Sequence, residues 1–356
     1  MPDTLPAEQT VLTETGRRVP VLQHPAPNPA WLSRRSEPVV EPDMPVIDPH
    51  HHLWDRGGGY FLDELLGDIQ SGHNVVSTVF LQCAYGYRTD GPEALKPVGE
   101  TEFVAALARE ADARGVKARV CEGIVGFADM LLGDAVAPVL EAHIAAGECR
   151  FRGIRHVTAR NEEFRASIVP PPPAQVMADG TFRAAYARLR SHDLSFDAWL
   201  YHTQIDELAD LARAFPDTPV ILNHVGGPLG IGPYAGRRDE VFKDWSASIR
   251  RLAGCPNVSA KLGGLAMVVT GFEFHKQPEP PGSDELLAAW HPYLDACIEA
   301  FGPSRCMFES NFPVDKAMCS YTAMWNAFKR AAAGHSAADK AAMFHDTAAR
   351  VYRLAS

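Results

Sequence analysis

Several features that mark particular protein classes are missing from this 356-residue sequence. No apolar run approaches the ~20 residues that a membrane-spanning helix needs. Residues 1–4 (MPDT) do not form a basic start followed by an apolar stretch, so we expect no secretory signal. Basic residues are not clustered and the formal net charge is −10, which makes nucleic acid and anionic membranes unexpected partners.

Cysteine pairs with metal-binding or redox spacing are also lacking. The chain has 7 cysteines, an odd number, and none of them forms a Cys-x-x-Cys pair. Most of them lie inside apolar runs, as buried free thiols do. The sequence therefore predicts a cytoplasmic protein without structural disulfides or a zinc finger.

Proline is concentrated at the start of the chain. Residues 1–44 contain Pro2, Pro6, Pro20, Pro25, Pro27, Pro29, Pro38 and Pro42. Because proline fixes φ and removes a backbone donor, this segment is predicted to be an extended arm, followed by one domain over residues 45–356. The arm can pack on its own domain or on that of a second copy, so the sequence leaves a homo-oligomer open.

Short apolar segments alternate with helix-like patterns through the rest of the chain. The strand candidates are 44–48, 75–82, 116–125, 151–157, 194–201, 219–224, 257–262 and 305–310. The helix candidates are 100–114, 133–146, 182–191, 204–214, 240–252, 283–301 and 321–333. Strands that are apolar throughout are typical of parallel sheets covered on both faces, and eight of them alternating with helices predict a (β/α)8 TIM barrel. The alternative, a doubly wound open sheet, would more often begin with a glycine-rich turn, whereas residues 48–52 read DPHHH.

Histidines gather where the first strand candidate ends. Because side chains alternate along a strand, Asp48, His50 and His52 share one face and His51 takes the other. Two imidazoles two residues apart can reach one metal ion. A surface loop is the alternative for a single histidine, but three in a row after an apolar run favour a site.

Two later strand candidates also end in histidine. The fifth places His202 on the same face as Phe196 and Leu200, and the sixth places His224 on the face of Leu222. Either histidine alone would more often be a core or loop residue. Together, at equivalent strand ends, they favour a shared site at the C-terminal mouth of a barrel.

Charged residues end three further strand candidates. Glu309 and Asn311 are two apart in the eighth and share a face. A buried unpaired carboxylate is unfavourable, so an ion pair with Arg155 or Lys261 is the alternative to a catalytic Glu309. Arg155 with its neighbour His156, and Lys261, are suited to holding a substrate carboxylate.

Five motifs together resemble a known family. They are residues 47–54 (IDPHHHLW), 153–156 (GIRH), 222–228 (LNHVGGP), 261–265 (KLGGL) and 307–313 (MFESNFP). From about residue 44 to residue 354 the chain resembles the amidohydrolase-related TIM-barrel hydrolases. The similarity is to the lactonase branch, which contains L-fuconolactone hydrolase and 2-pyrone-4,6-dicarboxylate lactonase.

The resemblance implies a set of metal ligands. His50, His52 and His224 match the positions that bind or border one divalent metal, Zn or Mn, and His202 matches a further histidine position loosely. The family typically has an aspartate on strand eight as metal ligand and base, where this chain has Asn311. An amide carries no charge and accepts no proton at neutral pH, so metal dependence stays open. The branch also includes a member that the resemblance suggests works without metal.

The departure at Asn311 moves the role of general base to other residues. Glu309, Asp315 and a histidine such as His224 are the candidates, and Asp48 is expected to orient a histidine from below. The substrate would be positioned by Arg155, His156, Lys261, His202 and Trp54.

The leading hypothesis is hydrolysis of a small sugar-derived or carboxylated lactone. Loops 161–181 and 263–283 are expected to shape its pocket, the second through Phe272, Phe274 and His275. One alternative is a metal-dependent decarboxylase or C–C hydrolase of an aromatic or dienoic acid, against which Asn311 counts. The other is a barrel that has lost catalysis and only binds a small-molecule ligand.

Overall fold

Eight parallel strands form the centre of the structure. The computed structural model describes residues 10–12, 16, 18–22, 24–56, 58–166 and 171–355. The strands are β1 (Pro45–His51), β2 (Asn74–Leu81), β3 (Arg119–Gly126), β4 (Phe151–Ile154), β5 (Ser195–Ala198), β6 (Val220–Leu222), β7 (Val258–Leu262) and β8 (Cys306–Phe308). Each strand pairs in parallel with the next one along this series.

The first and last strands meet and bring the sheet close to a closed barrel. An isolated parallel bridge joins His51 to Phe312. The backbone N–H of Asn311 donates to the carbonyl of His50 at 2.9 Å, and that of His52 donates to the carbonyl of Phe312 at 2.8 Å. The predicted (β/α)8 barrel is confirmed, and the doubly wound alternative is wrong because β1 and β8 are neighbours.

Each strand is followed along the chain by a helix of eight or more residues. These helices are α1 (Leu62–Ile69), α2 (Val98–Ala113), α3 (Ala137–Ala146), α4 (Gly180–Ser191), α5 (Ile205–Ala214), α6 (Arg238–Ala253), α7 (Ser283–Phe301) and α8 (Tyr321–Ala331). In α5 the buried side chains of Ile205, Leu208 and Leu211 follow the helical period and face the barrel. No membrane-crossing helix is found, since every helix in the described part of the chain is too short or too polar.

Two sequence predictions about the elements were wrong. The helix α1 was not expected, because its eight residues fall between the histidine motif and β2 in a stretch without a long periodic pattern. The fifth strand ends at Ala198 rather than at residue 201. His202 therefore lies in a 3-10 turn, not on the strand face predicted for it. The sixth strand likewise ends at Leu222, so His224 also begins a 3-10 turn instead of continuing the strand.

The C-terminal segment closes the N-terminal end of the barrel. After helices Ala337–Ala341 and Thr347–Val351, the buried side chains of Tyr352 and Leu354 pack against Ile47 of β1 and Met307 of β8. This cluster of apolar side chains is separate from the larger one between the barrel and its helices.

The described part of the N-terminal arm packs on its own barrel. Thr10–Leu12 pairs with Arg18–Leu22, which pairs with Arg165–Ala166 from the loop after β4. Further along, Trp31 Nε1 donates to the carbonyl of Gln277 at 3.1 Å and the Val40 N–H donates to Asn326 Oδ1 at 2.8 Å. The rest of the predicted arm lies outside the described residues.

Candidate active site

A cavity of about 810 Å³ opens above the carboxyl ends of the strands. Its wall includes residues that follow six of the eight strands, namely His52, Gln82, Arg155, Trp199, His224 and Asn311. The arm covers one side of it with Leu22, His24 and Pro25. In barrels of this kind the strand ends bring together side chains that are distant in sequence.

His224 and Glu309 form a buried pair at this wall. Glu309 Oε1 accepts hydrogen bonds from His224 Nδ1 at 2.7 Å and from the His224 backbone N–H at 2.9 Å. Burial lowers the pKa of His224, while the adjacent Glu309 carboxylate acts in the opposite direction. The neutral ring thus carries its proton on Nδ1, which leaves the Nε2 lone pair available.

His50 lies beside the same carboxylate but meets a cation on its other side. Its Nδ1 is 2.6 Å from Glu309 Oε2, and its Nε2 is 3.2 Å from Arg155 Nη1. A guanidinium only donates, so His50 Nε2 accepts and the neutral ring has its proton on Nδ1. Burial, with Lys261 close by, holds the pKa of His50 well below its usual range.

His52 faces Asn311 across a short gap. His52 Nδ1 donates to the carbonyl of Leu81 at 2.8 Å, and its Nε2 lies 3.3 Å from Asn311 Oδ1. Asn311 Nδ2 donates to Asp315 Oδ1 at 2.8 Å, which fixes the amide with its oxygen toward His52. Burial keeps the pKa of His52 well below its usual range, so two acceptors face each other here. A water molecule on the cavity side of these two atoms can donate to both.

A second buried ion pair lies beneath the histidines. Lys261 Nζ is 3.0 Å from Asp197 Oδ1 and 3.3 Å from His50 Nδ1, and both charged side chains are fully buried. The same Asp197 oxygen accepts from Asn223 at 2.9 Å and from Tyr352 at 2.7 Å. This network holds a lysine charge under the cavity rather than on its wall.

The backbone is strained where two of these side chains are presented. His224 and Asn311 have φ values of 56° and 55°, in the left-handed region that residues other than glycine rarely adopt. Such strain persists where the surroundings enforce it, which is common at functional sites. Gly264 lies so close that a Cβ there would be 2.4 Å from His224 Nδ1, which explains the second glycine of the 261–265 motif.

The structure distributes the predicted site residues over three places. The cavity wall contains His52, Trp54, Arg155, His224 and Asn311. Directly beneath lie the fully buried His50, Glu309, Asp315 and Lys261.

His156 and His202 make up the third group, and their described contacts are away from the wall. His156 Nδ1 accepts from the Met130 N–H at 3.3 Å, and His202 Nδ1 accepts from the Leu229 N–H at 3.3 Å. Asp48 binds backbone rather than an imidazole, because its Oδ1 accepts from the Ser310 N–H at 3.0 Å and from the His50 N–H at 3.3 Å. Asp48 therefore contacts His50 through its backbone N–H and not through its ring.

Both predicted loops reach the cavity, although the second does so through other residues. The first contributes Phe164 and Arg165, whereas Pro170 falls outside the described residues. The second contributes Met267 and Val269. Its aromatic pair lies elsewhere, since Phe272 stacks on Phe274 and against Arg238, so the expected aromatic contribution was wrong.

The donors around His50 also fit a divalent metal. Nitrogen and oxygen atoms of His50, His224 and Glu309 lie within 4.8 Å of one another and are buried. Glu309 Oε2 lies 2.6 Å from His50 Nδ1, and its second lone pair can bind a cation. Imidazole and carboxylate are ligands that Zn and Mn take. Arg155 donates to His50 Nε2 and Lys261 Nζ lies 3.3 Å from His50 Nδ1, so two positive charges next to the ring oppose the binding of such an ion.

Sequence reasoning missed four residues that shape the site: Arg56, Gln82, Asp197 and Trp199. Asp197 carried a usable signal, because a carboxylate inside the apolar segment 194–201 needs a cation. Trp199 stands with its ring centroid 4.8 Å from that of His224. No sequence pattern indicated Gln82 or Arg56, because both side chains donate to backbone carbonyl groups whose positions only the fold reveals.

Comparison with known proteins gives a family and three informative relatives. Residues 47–354 match the amidohydrolase family model. An uncharacterised protein of Sinorhizobium fredii is 32% identical over 335 residues, which span 88% of this chain and 99% of that protein. An L-fucono-1,5-lactonase of Burkholderia multivorans is 28% identical over 86% of this chain and 96% of its own length. An amidohydrolase crystal structure from the same species, with bound Zn, is 24% identical with a TM-score of 0.67, covering 87% of this chain and 99% of that one.

Proposed function

The chain belongs to the amidohydrolase family and is a hydrolase, and from that premise we propose that it opens a small cyclic ester by attack of water. Relatives named L-fucono-1,5-lactonase and L-rhamnono-gamma-lactonase support lactone hydrolysis in general terms. The observation that carries the proposal is the hydrogen bond from His224, on the cavity wall, to Glu309 beneath it, which leaves Nε2 of His224 as a base. The substrate is a small molecule that the cavity encloses.

His224 is the general base of this proposal. Its Nε2 accepts a proton from water while the water oxygen bonds to the lactone carbonyl carbon. The Nδ1 hydrogen bond of 2.7 Å to Glu309 then stabilises the imidazolium that forms. When the ring C–O bond breaks, His224 returns the proton to the departing oxygen, so one water is consumed and a hydroxy acid is released.

Asn311 and Arg155 complete the arrangement without exchanging protons. The Asn311 amide oxygen, held in place by Asp315, accepts a hydrogen bond from the attacking water and orients it. Arg155 lies on the wall with a positive charge that favours the developing oxyanion. Lys261 and Asp197 keep this region rigid from below rather than contacting substrate.

A divalent ion such as Zn or Mn, held by His50, His224 and Glu309, would supply a Lewis acid for the carbonyl when bound. The proposed roles of Arg155, Asn311 and Asp315 are the same with or without it. Nothing in the geometry favours a decarboxylase over a lactonase.

The test is a panel of five- and six-membered lactones, with the ring-opened acid detected by mass spectrometry. We expect at least one lactone to be opened, and a His224→Asn variant to lose about 10²- to 10⁴-fold in kcat. His192→Asn, at the exposed end of α4, is the control and should match the parent. Release of carbon dioxide from aromatic acids without any lactone turnover would overturn the proposal in favour of the decarboxylase. Binding without turnover would favour the ligand-binding barrel.

A further inference from the structure

Arg56 is a cation on the cavity wall that the proposed chemistry does not use. Its guanidinium carbon lies 4.9 Å from the centroid of the Trp54 ring, and its Nη2 donates to the carbonyl of Cys83. Its Nη1 is buried and hydrogen-bonds to none of the described groups. No carboxylate in the described ranges lies within ion-pair distance of Arg56.

The wall as a whole carries more positive than negative charge. Among the described wall residues Glu64 is the one carboxylate, and it accepts from the Phe61 N–H at 2.9 Å. Two of the wall cations have acidic partners, Lys316 at 2.7 Å from Asp68 and Arg160 at 2.7 Å from Glu162.

The other three wall cations are Arg56, Arg155 and Arg165, and none of them forms an ion pair with a described carboxylate. A low-dielectric cavity with unpaired guanidinium groups favours an anionic ligand.

Arg56 is also placed close to the reacting centre. Arg155 Nη2 donates to the carbonyl of Gln82 and Arg56 Nη2 to that of Cys83, so consecutive residues of one loop anchor the two guanidinium groups. Arg155 contacts His50 in turn. Both guanidinium groups line the same cavity, so one ligand can present an anion to Arg56 and a carbonyl group to Arg155.

The rest of the wall suits an apolar body. Trp54 stacks on His52 at 5.2 Å between centroids, and Trp199, Phe164, Met267 and Val269 add large apolar surfaces. The volume of about 810 Å³ is large for a single lactone ring and lies in the range of pockets for larger ligands.

We propose that Arg56 is a specificity-determining residue that binds a carboxylate of the substrate, and that the substrate is a lactone with an aromatic or alkyl body. This inference rests on the proposed lactonase function and narrows its substrate class. A cavity that binds a neutral polyhydroxylated ring would instead be lined by hydrogen-bond donors and acceptors, without unpaired cations.

The experiment compares 3,4-dihydrocoumarin with a ring-carboxylated derivative of the same lactone. We expect the parent protein to prefer the carboxylated compound in kcat/KM by at least about tenfold, mainly through a lower KM. Arg56→Gln should remove that preference. The matched control is Arg238→Gln, because Arg238 stacks 4.1 Å over Phe272 outside the cavity wall.

Equal kcat/KM values for the two lactones in the parent protein would overturn the inference, and so would a preference that survives Arg56→Gln. A separate calorimetric titration with 3-phenylpropanoate and 3-phenylpropan-1-ol distinguishes the two proposals. If no lactone is opened but the acid binds more tightly than the alcohol through Arg56, the lactonase proposal fails and the carboxylate site stands. If neither compound binds preferentially, the carboxylate site fails.

Discussion

Asp315 Oδ1 accepts a hydrogen bond of 2.8 Å from Asn311 Nδ2, which orients the amide whose oxygen lies 3.3 Å from His52 Nε2. Where the family resemblance leads one to expect a charged base, this chain has a neutral amide braced by an aspartate four residues later. Asn311 can therefore orient a water, while the proton goes to another group.

Asp315 is expected to act as a positioning residue through Asn311. Its Oδ2 also accepts from the Ala266 N–H at 3.2 Å, so Asp315→Ala leaves two buried donors unpaired. For each unpaired donor we expect the free energy of unfolding, measured by urea denaturation, to fall by roughly 1–3 kcal/mol. The kcat for lactone should fall while KM changes little. A fall in stability with kcat unchanged would limit Asp315 to a structural role.

Lys261 is expected to stabilise the fold without contacting substrate. Lys261→Met leaves Asp197 buried without its cation, which should lower the free energy of unfolding by about 3–5 kcal/mol. Adding Asp197→Leu to that variant should recover much of the loss, since the unpaired charge is then gone. If the loss of unfolding free energy in the double variant equals the sum of the losses in the two single variants, Lys261 and Asp197 are not a coupled pair.

Glu100 is expected to make stability depend on pH. It is buried on α2, where desolvation raises its pKa to about 7 from the ordinary 4.5, although the Cys83 and Tyr85 N–H groups partly offset this. A raised carboxyl pKa means that the folded state holds the proton more tightly, so this contribution to stability is present below about pH 4.5. It is lost as the pH rises toward 7, at up to ~1.4 kcal/mol per pH unit.

Glu100→Gln keeps the accepting oxygen and removes the ionisation. The difference in unfolding free energy between variant and parent should therefore grow in favour of the variant from pH 4.5 to pH 7. Chemical denaturation at four or five pH values measures it. A difference that stays constant with pH would show that Glu100 ionises freely in the folded state.

Arg155 is expected to weaken metal binding at His50. It donates to His50 Nε2 and adds a positive charge next to the His50, His224 and Glu309 donors. Two like charges about 4 Å apart repel by about 4 kcal/mol at an effective dielectric of 20. Arg155→Met should raise the affinity for Zn²⁺ at least about tenfold, measured by competition with a chromophoric chelator, whereas Arg238→Met should not. Unchanged affinity would place the ion elsewhere.

The sequence was most informative where a local pattern decides the geometry. The period-two alternation of β1 correctly separated His51, which meets Thr78 at 3.0 Å, from His50 and His52 on the side of the site. Alternation failed for His202, because nothing in residues 194–201 indicates that the strand ends at Ala198. Strand ends depend on pairing with neighbours, which a single sequence does not display.

The pairing of charged residues that are distant in the sequence was the second feature that could not be predicted. Glu309 was expected either to form an ion pair with Arg155 or Lys261 or to act as a base. Lys261 Nζ does lie 4.0 Å from Glu309 Oε2, but the closest partners of this carboxylate are the imidazoles of His50 and His224. Asp197 and Lys261 meet across the barrel from β5 and β7. Each charged residue could be identified in the sequence. Which oppositely charged residue it pairs with is decided by the arrangement of the strands in the folded barrel.

The most direct test of the account is the turnover number of Glu309→Gln on whichever lactone the parent protein opens. The amide keeps the shape and one accepting oxygen but cannot stabilise the imidazolium of His224. We expect kcat to fall by about 10²- to 10⁴-fold with an unchanged circular dichroism spectrum. Glu122→Gln, a carboxylate on β3 bound to Arg119, should show parent activity. Parent-like turnover in Glu309→Gln would contradict the His224–Glu309 mechanism.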